Sequence, residues 1–380
     1  MLPTIILDKS ALQGFSADEI LTLQNHFWLN ITPILALEIF GDLSKPASKS
    51  GGEEGVKNLA QKMPQWHSKI NAEWPNLAFG SLDGHDIPMN GRAVIFGGKS
   101  VMTQDGQRGV SVEQSPMEEV VFQWGLGRFS DEERELAAEY RLHVKGANLE
   151  QTRQQLRPVY KHLPRPRDYP ELQSQVASYM AEPNRQLLLI RCFCERWGWN
   201  MLVWREIRKR WRSREWRGFE EFAPYACFCM KVMLTFELGL VSDLVTTRPT
   251  NVVDTDYLFY LPFCKVFASN DHQQENLAKI LMFPWQDFVS GNELRADIKR
   301  IHEHRQSLNE EERKEFEYQY GPYPREEPTS VVYRLWKKHM PPRRGPAGNR
   351  LDKMTEAERA ELMRKVKPIM DALRSQDKNR

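Results

Sequence analysis

The sequence predicts an α/β protein with a central parallel sheet, interrupted by a long and largely helical insertion. Three observations carry that expectation. Thr4-Ile5-Ile6-Leu7 is a short apolar run ending in Asp8, and Lys265-Val266-Phe267-Ala268 is another, closed by Ser269-Asn270-Asp271. Each reads as a strand with an acid at or just beyond its carboxyl end, where open α/β sheets bind their ligands. Capped helical segments follow the first run. Ser16-Ala17-Asp18-Glu19 pairs a Ser N-cap with a Glu three residues later, the capping-box pattern.

Asn30-Ile31-Thr32-Pro33 starts the next helix, expected over Ile34–Leu43, with Pro in the first turn where its missing N–H is harmless. That helix is apolar on nearly every face except at Glu38 and Asp42, four apart and so on one face. A carboxylate in such a helix is costly to bury unless it is paired or binds a cation. Lys45 to Gly52 is a linker by its Pro, Ser and Gly content. A helix is expected from Gly55 to about Ala72, carrying Trp66, His67 and Lys69. His85-Asp86 belongs to a Gly-Pro loop. Arg92 to Gly98 and Ser100 to Thr103, around Asp105-Gly106, predict a small β element with a tight turn. Ser130 caps a charged helix, and the alternating charges over 134–160 read as a solvated face.

Cys192, Cys194, Cys227 and Cys229 form two Cys-x-Cys pairs, and Cys264 stands alone. Structural zinc sites space their ligands as C-x₂₋₄-C in loops. These pairs sit in apolar helical runs, so they read as buried core thiols in a reducing compartment.

Trp204 to Arg217 is the most basic stretch. It holds Arg205, Arg208, Lys209, Arg210, Arg212, Arg214 and Arg217 against Glu206 and Glu215, with Trp204, Trp211 and Trp216 interleaved. Arg matches phosphate bidentately, and exposed Trp stacks on unpaired bases. Arg205, Arg208, Lys209 and Arg212 are therefore the candidate nucleic-acid contacts. The same pattern fits an amphipathic helix with its Trp rings in the core, and the two readings are compatible.

Phe219 to Leu240 reads as one long buried helix leading to Asn251–Asp271. There Asp254 and Asp256 precede an aromatic run, Tyr257 to Leu261, that Pro262 stops. Asp254 and Asp271 are either helix caps or members of an acidic site. On a helix, only one of Asp254 and Asp256 faces such a site. Helices are expected over Gln273–Leu281 and from Gly291 to about His304, with His302 and His304 on a solvated face. Gly321–Pro328 and Met340–Gly348 are Pro-rich connectors, and Thr355-Glu-Ala-Glu358 opens a last helix to about Leu373 that Pro368 kinks.

The 380 residues can bury one large core or two moderate ones, and 41% hydrophobic with 27% charged residues fits a soluble globular protein. A net charge of +2 leaves any case for nucleic acid to local charge. No apolar run nears the roughly 20 residues of a membrane span and no signal sequence opens the chain, so a cytoplasmic protein without a membrane partner is expected. No phosphate-cradling Gly-rich loop, Gly-x-Ser-x-Gly elbow or internal repeat appears.

Asp8 after the first strand, Glu38 in a helix thirty residues on, a later helical Asp254 and a strand-ending Ser269-Asn270-Asp271 together resemble PIN-domain nucleases. Ile-Leu-Asp-Lys-Ser and Ile-Thr-Pro-Ile-Leu-Ala-Leu-Glu-Ile look like that family's first strand and Glu-bearing helix. The resemblance implies a three-layer α/β/α nuclease core from residues 1–44 and 220–305. The mostly helical insertion is then 45–219, and 306–380 is a charged, Pro-rich extension. It also implies that Asp8, Glu38, Asp254 (or Asp256) and Asp271 hold Mg²⁺ or Mn²⁺. Clustered carboxylates cannot all stay ionised without a cation, and oxygen ligands favour these ions. The expected function is hydrolysis of phosphodiester bonds, with RNA the favoured substrate because the family mostly cuts RNA. The alternative is a catalytically silent PIN-like scaffold, toxin-like or a defence component, that binds nucleic acid or holds a protein partner through the insertion or tail. Oligomeric state is not legible.

Overall fold

The computed structural model describes residues 2–47, 51–63, 68–95, 98–102, 108–112, 115–198 and 201–342, with 355–357, 360, 361 and 364. Five parallel strands form the main sheet: β1 (Thr4–Leu7), β2 (Trp28–Ile31), β3 (Ser68–Ile70), β6 (Val266–Ser269) and β7 (Asp287–Ser290). A separate antiparallel pair, β4 (Gly98–Met102) and β5 (Arg108–Val112), supplies a β element where one is expected, but Arg92–Ile95 is not strand and the second strand comes from 108–112; the turn at Asp105-Gly106 lies outside the described residues. In the main sheet the order is β3-β2-β1-β6-β7. β1 is central, with Ile5 opposite Leu29 on one side and Val266 on the other. Every residue of β1 and β6 is buried, so both faces are covered, as all-parallel sheets require.

Three of these strands depart from the sequence reading. Trp28–Ile31 is a strand that runs through Asn30, where the next helix is expected to start; the helix itself begins at Pro33. The strand's buried Asn30 is tolerated because the side-chain amide donates to the Phe263 carbonyl at 2.9 Å. Ser68–Ile70 ends the helix expected to run to Ala72; that helix spans only Gly52–Ala60, and Trp66 and His67 lie outside the described residues. The sheet thus draws a strand from the segment 45–219 assigned wholly to the insertion. Asp287–Ser290 supplies the far edge, paired Val266↔Asp287 through Ser269↔Ser290.

The helices that set up the site are α1 (Lys9–Gly14), α2 (Ala17–His26) and α3 (Pro33–Gly41). The Ser16/Glu19 capping box is formed in full, and Thr32 caps α3 with Pro33 in the first turn. The long apolar helix expected from Phe219 breaks after Phe222. Ala223 leaves the helical region (φ −148°, ψ 78°), as a residue before Pro224 is driven to do, and the helix restarts over Pro224–Val241. By length and apolarity that helix could cross a membrane, yet 78% of it is buried inside the protein. It packs against the helices Trp74–Asp83 and Tyr169–Ala181. Its one carboxylate, Glu237, is 4% exposed and bonded to Tyr160 and Arg196. Cys194, Cys229 and Cys264 are buried as expected, whereas Cys192 is exposed and Cys227 half-buried.

The chain divides into two compact units, Met1–Arg300 and Ile301–Arg380. In the second, helices Glu310–Tyr320 and Val331–His339 are described, with Phe316 against His304 and Tyr320, and Tyr323 against Trp336. Most of the expected last helix, including Pro368, lies outside the described residues.

Candidate acidic site at the switch point of the sheet

From β1 the chain builds outward through β2 to β3 on one side, then resumes at β6 on the other. The strand order therefore reverses between β1 and β6, the place where open α/β sheets leave a crevice at the carboxyl ends of the strands. Asp8 directly follows β1, and Asp271 follows β6 with only Asn270 between. The two strand ends are locked by Asp8 N–H donating to the Ala268 carbonyl at 3.1 Å.

Asp8 is 4% exposed. Its Oδ1 caps α1 by accepting from the Ala11 N–H at 2.7 Å, and its Oδ2 accepts from the Ser269 hydroxyl at 2.8 Å. The Ser10 hydroxyl lies at 2.9 and 2.8 Å from the two oxygens. Burial pushes the Asp8 carboxyl up to about 6, with Glu38 adding repulsion and the hydrogen bonds opposing it.

Asp271 divides its oxygens. Oδ1 caps the helix His272–Leu281 through the Gln274 N–H at 2.9 Å, and Oδ2 meets Arg248 Nη2 at 2.9 Å. The same Nη2 lies 2.9 Å from Asp254 Oδ2. Asp254 sits inside the helix Asn251–Leu258 rather than at its cap. Burial, then repulsion from Asp271 and Glu38, lifts it to about 7, against the pull of Arg248.

Glu38 enters from α3. The Tyr257 hydroxyl donates to its Oε2 at 2.7 Å, and Lys9 Nζ lies 3.5 Å from its Oε1. Lys9 also closes on Asp42 at 2.9 Å. Glu38 and Asp42, expected on one helix face, are thus bridged by a buried lysine, although the helix ends at Gly41 and Asp42 also pairs with Lys45.

Asp8, Glu38, Asp254 and Asp271 therefore meet around one crevice, while Asp256 does not join them. It lies two residues from Asp254, ~200° around the helix axis, and makes no hydrogen bond or ion pair among the described residues. Burial alone lifts its carboxyl to about 7, and its charge acts on Tyr140 and Tyr260. Of the two, Asp254 is the one turned toward Asp271 and Glu38.

The donor set suits a hard divalent ion: all carboxylate oxygen, desolvated and mutually repelling. Its present placement does not form a closed shell. Among the described residues no three His, Cys, Asp or Glu side chains stand close enough together to hold a metal; Glu38 is paired with Lys9, Asp254 and Asp271 with Arg248, and Asp8 with Ala11, Ser10 and Ser269.

The basic helix lies away from the acidic crevice. Met201–Ser213 exposes Arg205, Arg208, Lys209 and Arg212, while Trp211 is buried, Trp204 half-buried and Trp216 exposed. Arg210 is a staple, donating to the carbonyls of Ser81, Leu82 and Phe222. Arg208, Trp211 and Trp216 line a cavity of about 820 Å³ together with Met89 and Phe283. Phe283 stacks on Trp285, over which Lys265 lies at 4.2 Å, and Gly91, two residues past Met89, donates to the Pro262 carbonyl. Lys265 N–H in turn bonds the Thr4 carbonyl at 2.8 Å. These residues mark the amino ends of β1 and β6. This basic surface is therefore at the opposite ends of the strands from the acids, roughly a four-residue strand length (~13 Å) or more away.

Lys9, Ser10, Arg248, Tyr257 and Ser269 were not singled out from sequence as site members. Lys9 and Ser10 follow Asp8 directly, and Ser269 stands two before Asp271, so adjacency to the acids was the available signal. Arg248 has no comparable signal. No protein-family model, curated protein or solved structure matches the chain.

Proposed function

We propose that this chain is a PIN-like, metal-dependent endonuclease that hydrolyses phosphodiester bonds, with RNA the favoured substrate. The observation that carries the reading is the convergence of Asp8, Asp271, Glu38 and Asp254 at the crevice where the strand order reverses. Mg²⁺ or Mn²⁺ would be held by these four carboxylates, and the ion would supply an activated water and charge stabilisation at the leaving oxygen. Ser10 and Ser269 fix the orientation of Asp8, and Tyr257 orients Glu38. Raised proton affinity at Asp8 and Asp254 supports the same reading, since desolvated acids that repel one another gain most from a cation.

The second reading is a silent scaffold. It is favoured by one observation: three of the four acids already have an internal cation, Glu38 in Lys9 and Asp254 and Asp271 in Arg248. Incubating the chain with mixed single-stranded RNA and DNA in Mn²⁺, beside D8N and D271N variants, separates the two. The nuclease reading expects cleavage that chelator and both substitutions abolish. Absence of cleavage by folded protein, with no change in melting temperature on adding Mn²⁺, would overturn it in favour of the scaffold.

A further inference from the structure

We infer that Arg248 is an exchangeable internal counter-ion, which neutralises Asp254 and Asp271 in the metal-free chain and must leave them for a divalent ion to bind. The inference rests on the acidic site proposed above and adds how that site is opened.

The geometry is one nitrogen shared by two carboxylates from different helices, at 2.9 Å to each. Asp254 repels Asp271, so two acids this close require positive charge between them. In the metal-free chain the guanidinium is that charge. It also occupies the oxygens a metal would use, Asp254 Oδ2 and Asp271 Oδ2, since Asp271 Oδ1 is committed to its helix cap. Arginine and metal are therefore mutually exclusive at this pair.

Two contrasts identify Arg248, and not Lys9, as the group that yields. The Lys9 side chain is 11% exposed and its ammonium is held by Asp42, Glu38 and the Glu38 carbonyl. Removing it from them would strand a buried charge, which is strongly unfavourable. The Arg248 side chain is 54% exposed, against 19% and 22% for its two partners, so its freed guanidinium is solvated by water. Apart from these two carboxylates it has no hydrogen-bond or ion-pair partner among the described residues. Its backbone is fixed independently: the Arg248 carbonyl accepts from the Asn251 N–H at 3.0 Å, and Thr246 is tied to Gln273 and Asn251. Exchange then needs a side-chain rotation and no movement of the fold. Exposed ion pairs are weak, which is the property an exchangeable ligand needs.

The test is Mn²⁺ binding to the full chain, followed by calorimetry and by loss of the free-ion paramagnetic resonance signal, for wild type, R248Q, D271N and R248Q/D271N. R248Q is expected to bind Mn²⁺ several-fold to about tenfold more tightly than wild type, and the gain is expected to disappear in the D271N background. Far-ultraviolet circular dichroism checks that each variant is folded. Equal affinity of wild type and R248Q, or weaker binding by R248Q, overturns the role of Arg248 while leaving the metal site standing. Absence of binding by both folded proteins overturns the metal site itself, and this inference with it.

Discussion

The Tyr257 hydroxyl donates to the Glu38 carboxylate at 2.7 Å, joining side chains 219 positions apart. Tyr257 is 1% exposed, and burial beside Glu38, Asp8 and Asp254 holds its phenol protonated. It is a permanent donor that fixes one oxygen of Glu38. Y257F is expected to cost ~1 kcal/mol in urea unfolding and to weaken Mn²⁺ binding. An unchanged Mn²⁺ affinity would show that Glu38 needs no such orientation.

The raised acids make stability depend on pH in a defined direction. Asp8 and Asp254 bind protons more tightly folded, at about 6 and about 7, than at their ordinary 3.8. Where the native state holds more protons than the unfolded one, stability falls as pH rises. The contribution is complete below pH ~4 and is lost between there and pH ~7. Thermal melts of metal-free protein should therefore show this contribution decreasing across that window, with D254N shallower. Mn²⁺ should reverse the trend, because its binding favours the deprotonated carboxylates.

D8N and D254N are expected to behave oppositely in the metal-free chain. Asp8 accepts from Ala11, Ser10 and Ser269, so an amide in its place turns a donor toward other donors and costs ~1–3 kcal/mol. Asp254 is the partner of a repelling carboxylate, and at pH 8 its neutral replacement should stabilise or leave stability within ~0.5 kcal/mol. Chemical denaturation at that pH measures both; destabilisation of similar size in the two variants would contradict this account of the cluster.

Along the basic helix, structure and binding should separate by residue. R210A removes three bonds to carbonyls and the stacking on Phe222, with an expected loss of ~1–3 kcal/mol. R208A and R212A should leave stability within ~0.5 kcal/mol. If they contact phosphate, each lowers the salt dependence of oligonucleotide binding by about one counterion. Anisotropy of a labelled single strand across a salt series reads this, and unchanged slopes would remove Arg208 and Arg212 from the nucleic-acid surface.

What was legible in the sequence follows from how local its causes are. β1 and β6 were readable because each is an unbroken apolar run leading to an acid, and α2 because its capping box lies within four residues. β2 and β3 were not. Asn30 interrupts the first, and its place is secured by the carbonyl of Phe263 on a distant segment. Ser68-Lys69-Ile70 has three residues, and its register comes only from Leu29↔Ser68 to Ile31↔Ile70. β7 begins with Asp287, and its pairing with β6 makes it a strand. The acids were visible as residue types in order. Their counter-ions were not, because the partnership of Arg248 with Asp254 and Asp271 depends on folded distance. The position of the basic helix was beyond reach for the same reason.

Ser269 bonds Asp8 across 261 residues, so the crevice is made from the first and nearly the last strands of its sheet. A chain growing on the ribosome carries Asp8 and Glu38 from the start, yet it cannot assemble the pocket until β6 has emerged. Until then β1 also lacks a neighbour on one edge. Prematurely terminated products of this chain would consequently carry half a site and an open strand edge. Such fragments would carry two of the four carboxylates, and their unpaired strand edge would make them prone to aggregation.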